Sequence, residues 1–451
     1  MTIAKGENSH TEGQETLTGV NAIAAHAEGY KTQANGNYSH VEGNGNIDNG
    51  ENNHIEGYNN KTVLTSNSHI EGQNNYIEGF IFSNGDGEPT LSDNNHIAGY
   101  NNKVYDLKNS HIEGKNNKIY GGTVGDIMSS SEIHVEGSDH SIYFMYGEEN
   151  IHIEGQAHSI NTEYLSNSHM EGKENTIGSD TAYRLESVHV EGYHTKAFGN
   201  YSHVNGNNTI AQYRSSTVIG EYNKPYILVD DDTSIDRFSD IAGDLFVVGN
   251  GQSDTSRSNA FRIHNTNGVF GGTYNSTGAD YAEYFEWADG NPNKEDRIGL
   301  LVTLDGEKIK LANDGDEILG VISGNGSVIG DSYDDTWQGM YLRDVYGRYI
   351  IEEVELERTL SNGETETYTQ KQLKVNPDYN PEEKYIPRSQ RPEWDAVGLL
   401  GKLYVYDDGT AIVNGYVKVD ENGMATYSSE KTNMRVLSRI NKNVIRVFLK
   451  N

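Results

Sequence analysis

Between Ser9 and about residue 222, single apolar residues recur at a fixed spacing in an otherwise polar chain. One phrase carries them: a small residue, His, an apolar residue, Glu and Gly. It reads Ser39-His40-Val41-Glu42-Gly43, then Asn53-His54-Ile55-Glu56-Gly57 and Ser68-His69-Ile70-Glu71-Gly72, and continues to Val188-His189-Val190-Glu191-Gly192. Seven residues after the apolar position a second one often follows, as Ile77 follows Ile70, Val104 follows Ile97 and Ile119 follows Ile112. The full period is 14 where the repeat is tightest, from Ala27 to Val41 to Ile55. Longer steps, such as Phe80–Asn94 and Gly121–Ser131, mark insertions.

A spacing of seven suggests a coiled coil. Each seven carries one apolar residue where a heptad needs two, however, and Gly and Asn-Asn pairs recur in every turn. Within the phrase the alternation is that of a strand, with Ser, Ile and Gly on one face and His and Glu on the other. Asn-Asn and Gly supply corners. Two short strands and two corners per 14 residues predict one coil of a β-solenoid, stacked on its neighbours. Two buried aliphatics per coil are little against the entropy of ordering fourteen residues. Association of several chains, most simply a homotrimer, would supply the missing burial. Stacking also repeats the His and Glu of each strand, which predicts a ladder of His–Glu hydrogen bonds on the outside or at a subunit interface. A transition-metal site is the weaker reading, because the variable step between repeats spoils a common coordination geometry. A pH-sensitive interface is a third.

Composition narrows the function classes. The apolar fraction is 34%, with 50 Gly and 30 Tyr among 451 residues, so a large conventional core over the whole length is not expected. A net charge of -32 argues against nucleic acid as a partner, since phosphate binding needs clustered Lys and Arg. With no Cys, neither disulfides nor thiolate metal sites are available. The N-terminus lacks the basic and apolar regions of a secretory signal, and the longest apolar runs, such as Ile298–Leu304, are too short to span a bilayer. The expectation is a protein made in the cytoplasm, with no membrane insertion.

The 14-residue coil with Gly after its first strand resembles the head repeats of trimeric autotransporter adhesins. The resemblance implies a trimeric, left-handed parallel β-roll, with His and Glu here where that family usually has small residues. Residues 223–279 read as short strands between Asn-Gly and Gly-Gly turns. They resemble the β-stranded neck that ends many phage tail-fibre shafts. Asp230–Asp232 is expected to be a solvated acidic loop and not a calcium site, since no EF-hand spacing follows.

Past Trp287 the runs Leu300–Leu304, Ile318–Ser323, Val397–Tyr406 and Asn443–Leu449, separated by Asp-Gly and Asn-Gly turns, predict a mainly β globular domain. Asn376–Arg391, with three prolines, reads as a surface loop. Four stretches point further: Gly278-Ala279-Asp280-Tyr281-Ala282-Glu283-Tyr284-Phe285-Glu286-Trp287, the glycine-rich run from Ile318 to Asp331, Val397-Gly398-Leu399-Leu400-Gly401-Lys402, and the run from Arg435 to Phe448. Together and in this order they resemble the self-cleaving intramolecular chaperone domain at the C-terminus of phage pre-neck appendage and tail-spike proteins. The resemblance implies a domain that helps a fibre trimerise and then cuts itself off just before an Asp lying three residues ahead of a Glu. Carried over, the scissile bond is Ala279–Asp280 and the catalytic pair is Asp280 and Glu283, with no cofactor and no metal. A Ser can precede the Asp in that family; here it is Ala279, so no hydroxyl stands there.

Peptide hydrolysis by two carboxylates needs one group to activate water and another to protonate the departing nitrogen. Asp280 lies next to that nitrogen and is assigned as acid, with Glu283 activating water; the reverse assignment is also open, and a neighbouring subunit can complete the site. By spacing alone, Asp-x-x-Glu is also a helix capping box with Asp280 as N-cap and Glu283 at N3.

The expectation is an all-β chain: a solenoid shaft over 1–222, a neck over 223–279 and a self-cleaving chaperone domain over 280–451. Its expected role is a phage or prophage tail fibre or appendage in the virion tail, made in the cytoplasm of a bacterial host. The expected partners are two further copies, a cell-surface receptor or glycan, and a virion attachment protein, since the first repeat begins at Ser9. A bacterial surface adhesin and a polysaccharide-degrading spike are the alternatives. Carboxylate pairs suited to sugar cleavage exist, but 67 acidic residues produce such pairs by chance.

Overall fold

The histidine-bearing phrases stack in parallel register, coil upon coil. His10 pairs with His26, His26 with His40 and His40 with His54, and the column runs on through His69, His96, His111, His134, His152, His169 and His189 to His203. A second parallel sheet carries the other apolar column, Ile77, Val104, Ile119, Ile142, Ile160 and Ile177. The computed structural model describes residues 2–79, 92–121, 130–144, 149–162, 164–178, 184–225, 243–264, 268–333, 337–359 and 365–450. Among them the chain is all β, with a single 3-10 turn at Arg388–Gln390. The parallel β-solenoid is therefore present as read. The acidic stretch Asp230–Asp232 and most of both insertions lie outside the described residues.

Two expectations need correction. Some coils have a third side: Thr65–Ser66, Ser92–Asp93, Leu107–Lys108 and Ser130–Ser131 form a separate four-stranded sheet. The longer repeats have residues to spare and use them for this extra strand, so two strands per coil holds only for the tightest turns. The interior, moreover, is closed by one chain: Val41, Ile55, Ile70, Ile77, Ile97 and Ile112 are all fully buried. Burial of the coil interior does not call for a neighbour.

What the aliphatics lack, polar ladders supply. In the Asn-Asn corners from Asn52 to Asn117 the first Asn takes the left-handed turn and the second is buried. Asn59 and Asn74 have φ of 54° and 57°, and the Asn59 amide donates to the Asn74 side chain at 2.8 Å. Buried Asn60 donates to the carbonyl of Glu56 at 2.7 Å and to that of Gly72 in the next coil at 3.0 Å. Asn46, Asn75, Asn102 and Asn175 repeat the arrangement. Each such bond contributes on the order of 1 kcal/mol, and more would be lost if a buried partner stood alone.

The solenoid sheet continues into the strand Asp244–Asn250, which pairs in parallel with Thr217–Glu221. Asn259–His264 and Gly268–Gly271 then follow antiparallel, so stacking gives way to a meander. The chain divides into two units, Met1–Gly272 with Val354–Lys371, and Thr273–Glu353 with Gln372–Asn451. The second is built on the 13-residue strand Trp394–Tyr406. That strand pairs antiparallel with Asp280–Glu286 and Gly320–Ile322 along its first half and with Val444–Leu449 along its second. Its core gathers Leu301, Val321, Leu403, Val405, Val436 and Val447. The segment Asn376–Arg391 holds no strand or α-helix, but it is not wholly at the surface. Arg388 is buried, its guanidinium 3.7 Å from the Trp394 ring centre, and it donates to Gln338 at 2.6 Å and pairs with Asp331.

Candidate functional site

Asp280–Glu286 is a strand, which removes the capping-box reading: no helix begins at Asp280. It runs between Gly326–Gly330, in parallel, and Trp394–Tyr406, antiparallel. Asp280 faces glycine on both sides, Gly326 on one neighbour and Gly401 on the other. Gly401 allows backbone to lie directly against the Ala279–Asp280 peptide. A Cβ on Gly401, whose φ is +122°, would sit 2.4 Å from the Ala279 carbonyl oxygen and 2.9 Å from the Asp280 Cα. The backbone N–H of Lys402 donates to that same carbonyl oxygen at 3.2 Å.

The Asp280 side chain turns inward and is 4% exposed. It forms part of the wall of an open cleft of about 240 Å³, beside Ser323, Gly324, Asn325 and Lys402. Burial pushes its carboxyl above the ordinary Asp range; hydrogen bonds from the Ser323 hydroxyl and from its own backbone N–H offset this only in part. That backbone nitrogen is the one that must leave if Ala279–Asp280 is cut. One carboxylate oxygen, Oδ2, is buried with no hydrogen-bond partner, and it lies where a Cβ on Gly398 would be 2.7 Å away. A carboxyl held above its ordinary range beside the Asp280 nitrogen, with a backbone donor on the Ala279 carbonyl, is an arrangement suited to general-acid catalysis and to charge stabilisation at that carbonyl.

Glu283 is elsewhere. Along an extended strand, residues three apart point to opposite faces. The burial pattern agrees: Asp280 and Ala282 are buried, while Tyr281 is exposed and Glu283 half-buried. Glu283 packs over Gly330 and accepts a hydrogen bond from the Tyr281 hydroxyl, which pushes the phenol up from its ordinary range. One chain therefore does not bring the two carboxylates together on one face.

The strand's far end is pinned by a cluster that motif reading missed. Trp287 is buried, donates from Nε1 to Asp395 at 2.7 Å, and lies 4.3 Å beneath the Arg297 guanidinium. Arg297 in turn holds Asp289 at 2.7 Å and Glu295 at 2.9 Å. Ser323, Gly401 and Lys402 were also without an assigned role in the sequence. Only the glycine spacing of Val397-Gly398-Leu399-Leu400-Gly401-Lys402 hints at a close backbone approach.

Residues 243–443 match the family model Peptidase_G2, IMC autoproteolytic cleavage domain. The pre-neck appendage protein of Bacillus phage B103 is 37% identical over 180 residues, covering 39% of this chain and 20% of that protein. The pre-neck appendage protein of Bacillus phage phi29 is 42% identical over 150 residues, covering 33% and 16%. The matched stretch thus spans about a fifth of the length of these curated relatives. Among solved structures, the pre-mature bacteriophage phi29 gene product 12 aligns over 96% of this chain and 71% of its own, at 15% identity and a TM-score of 0.46. Over residues 243–443, this chain is therefore similar to the IMC autoproteolytic cleavage domain Peptidase_G2.

Proposed function

We propose that this chain is part of a phage or prophage appendage: a solenoid shaft over 1–222, a neck over 223–279 and, over 280–451, a chaperone domain that removes itself by cutting Ala279–Asp280. The observation that carries the proposed bond is the setting of that peptide. Backbone strands press on it through glycine, the Lys402 N–H lies on its carbonyl oxygen, and a carboxyl that burial keeps protonated to higher pH touches its nitrogen. In the proposed reaction Asp280 protonates the departing amine. The Lys402 N–H steadies the oxyanion. Glu283, as its carboxylate, takes the proton from the attacking water.

Glu283 faces away from Asp280 on its own strand, so the reading that fits is a site shared between copies, with Glu283 arriving from a neighbouring chain of a homotrimer. Cleavage then waits for assembly. In the virion the shaft would meet the host surface, through a receptor or glycan, and a separate protein would join it to the particle.

The test is a denaturing gel of the full chain, followed from expression onward. Wild-type protein should convert to fragments of roughly 30 and 20 kDa, dividing the 50.0 kDa chain in proportion to length. Glu283→Gln and Asp280→Asn should stay whole. Wild-type assemblies that persist uncut would overturn the proposal.

A further inference from the structure

The histidine ladder of the shaft is unused by the cleavage chemistry, and four early coils leave a buried Nε2 without the hydrogen bond that His134 and His189 make, although His–Glu gaps of 3.5–3.7 Å recur at His96, His111 and His169. In His134 and His189 the Nε2 atom closes a 2.8 Å hydrogen bond to the Glu two residues on, Glu136 and Glu191. In His26, His40, His54 and His69 the Nε2 atom is buried and has no hydrogen-bond partner. The nearest carboxylate oxygens stand off: Glu28 lies 3.8 Å from His26, Glu42 3.7 Å from His54, and Glu56 3.5 Å from His69. These gaps are too long for hydrogen bonds. They are close to the separation of two ligands bound to one ion at about 2.0–2.2 Å each. Donor atoms of His26, Glu28 and His40 all fall within 4.8 Å of one another, as do those of Glu42, His54 and Glu56, and those of Glu56, His69 and Glu71.

Electrostatics favours an occupant. Parallel stacking repeats each carboxylate about 4.8 Å along the shaft, and like charges in register repel. The chain as a whole is strongly anionic, at a net -32, which concentrates cations at its surface. Ring orientation in the column varies from coil to coil. His26 and His40 stack with 2° between their planes, yet His96 and His111 in the same column stand at 61° and His134 and His152 at 89°.

We propose that the first coils of the shaft bind divalent transition-metal ions of the zinc class through stacked His and Glu side chains. His26, Glu28 and His40 form one site; Glu42, His54, Glu56, His69 and Glu71 form a continuous second run. Two imidazoles and one carboxylate are a donor set suited to zinc, and mixed nitrogen and oxygen donors select it over magnesium or calcium. A metal here would fasten adjacent coils together along the open face of the solenoid.

The experiment uses the full chain, stripped with a chelator and titrated calorimetrically with Zn2+ near neutral pH in excess Mg2+. Saturable uptake with a rise in melting temperature is expected. The variant His40→Gln/His54→Gln should lose that class of sites, whereas His134→Gln should keep it. Should the histidine variant fold poorly, Glu42→Gln/Glu56→Gln, which leaves every imidazole in place, should lose uptake from the second run, and Co2+ bound to wild type should show a visible absorption band from nitrogen and oxygen donors. Uptake that Mg2+ abolishes, or that none of these substitutions changes, is diffuse adsorption to an acidic surface and overturns the proposal.

Discussion

His158 stands inside the shaft in a column that other coils fill with asparagine. Like the Asn at that place, it serves the carbonyl four residues back, donating from Nε2 to Glu154 at 2.9 Å, while its Nδ1 accepts from the Asn175 N–H at 3.2 Å. Both ring nitrogens are committed to the neutral form, and burial pushes the imidazole down to about 4. Between that value and the ordinary 6.5 the unfolded chain binds the proton and the folded one does not. The stability from neutral His158 is therefore complete above about 6.5 and lost as pH falls through this window, by roughly 3 kcal/mol. Thermal melts at stepped pH should show that decline, and His158→Asn should make it shallower without loss of fold.

Asp280 has the opposite sign. Its carboxyl is held above the ordinary Asp value, so just above that value the folded chain binds more protons than the unfolded, and its contribution falls as pH rises. Asp280→Asn should leave the C-terminal unit at least as stable at neutral pH while stopping cleavage. A large loss of stability in that variant would instead mark the carboxylate as structural. The sequence singled out Asp280 and Glu283 through the family resemblance, but it did not show that they part. The spacing reads as a cap on a helix and as opposite faces on a strand, and only the pairing with Gly326 and Gly401 decides which applies.

Among the elements, the coil was the most legible feature, because its glycine and aliphatic positions answer to simple steric demands. Gly72 adopts φ of +97°, and a Cβ there would lie 2.1 Å from the Gly99 carbonyl oxygen of the next coil. Gly72→Ala should cost the shaft more than about 2 kcal/mol, by strain and by separating two coils, whereas Asn59→Gly at an exposed corner should be tolerated. Chemical denaturation of the two variants makes the comparison. The third sheet was not legible, because the insertions carry no period of their own to mark the strands. Nor was the cradle around Ala279–Asp280. Ser323 and Lys402 lie far along the chain, and nothing local to them signals a partner at residue 279.

At the scale of the whole molecule, the separation of Asp280 from Glu283 has a direct consequence for assembly. If the working pair comes from two copies, a chain with Glu283→Gln still offers a cuttable bond and a chain with Asp280→Asn still offers the glutamate. Each variant alone should remain uncut, but co-expressed and assembled together they should restore cleavage of the Glu283→Gln chain. Light scattering should find trimers before the cut. The thin, self-sealed interior of the solenoid weakens the packing case for a trimer, so this complementation carries more weight than buried area.

Everything rests on one bond, and mass spectrometry of the purified protein locates it. With intact masses and the N-terminal sequence of the smaller fragment in hand, the result expected is a fragment beginning at Asp280-Tyr281-Ala282, absent from Glu283→Gln. A cut at another position, or a Glu283→Gln protein cleaved as fast as wild type, would contradict the account.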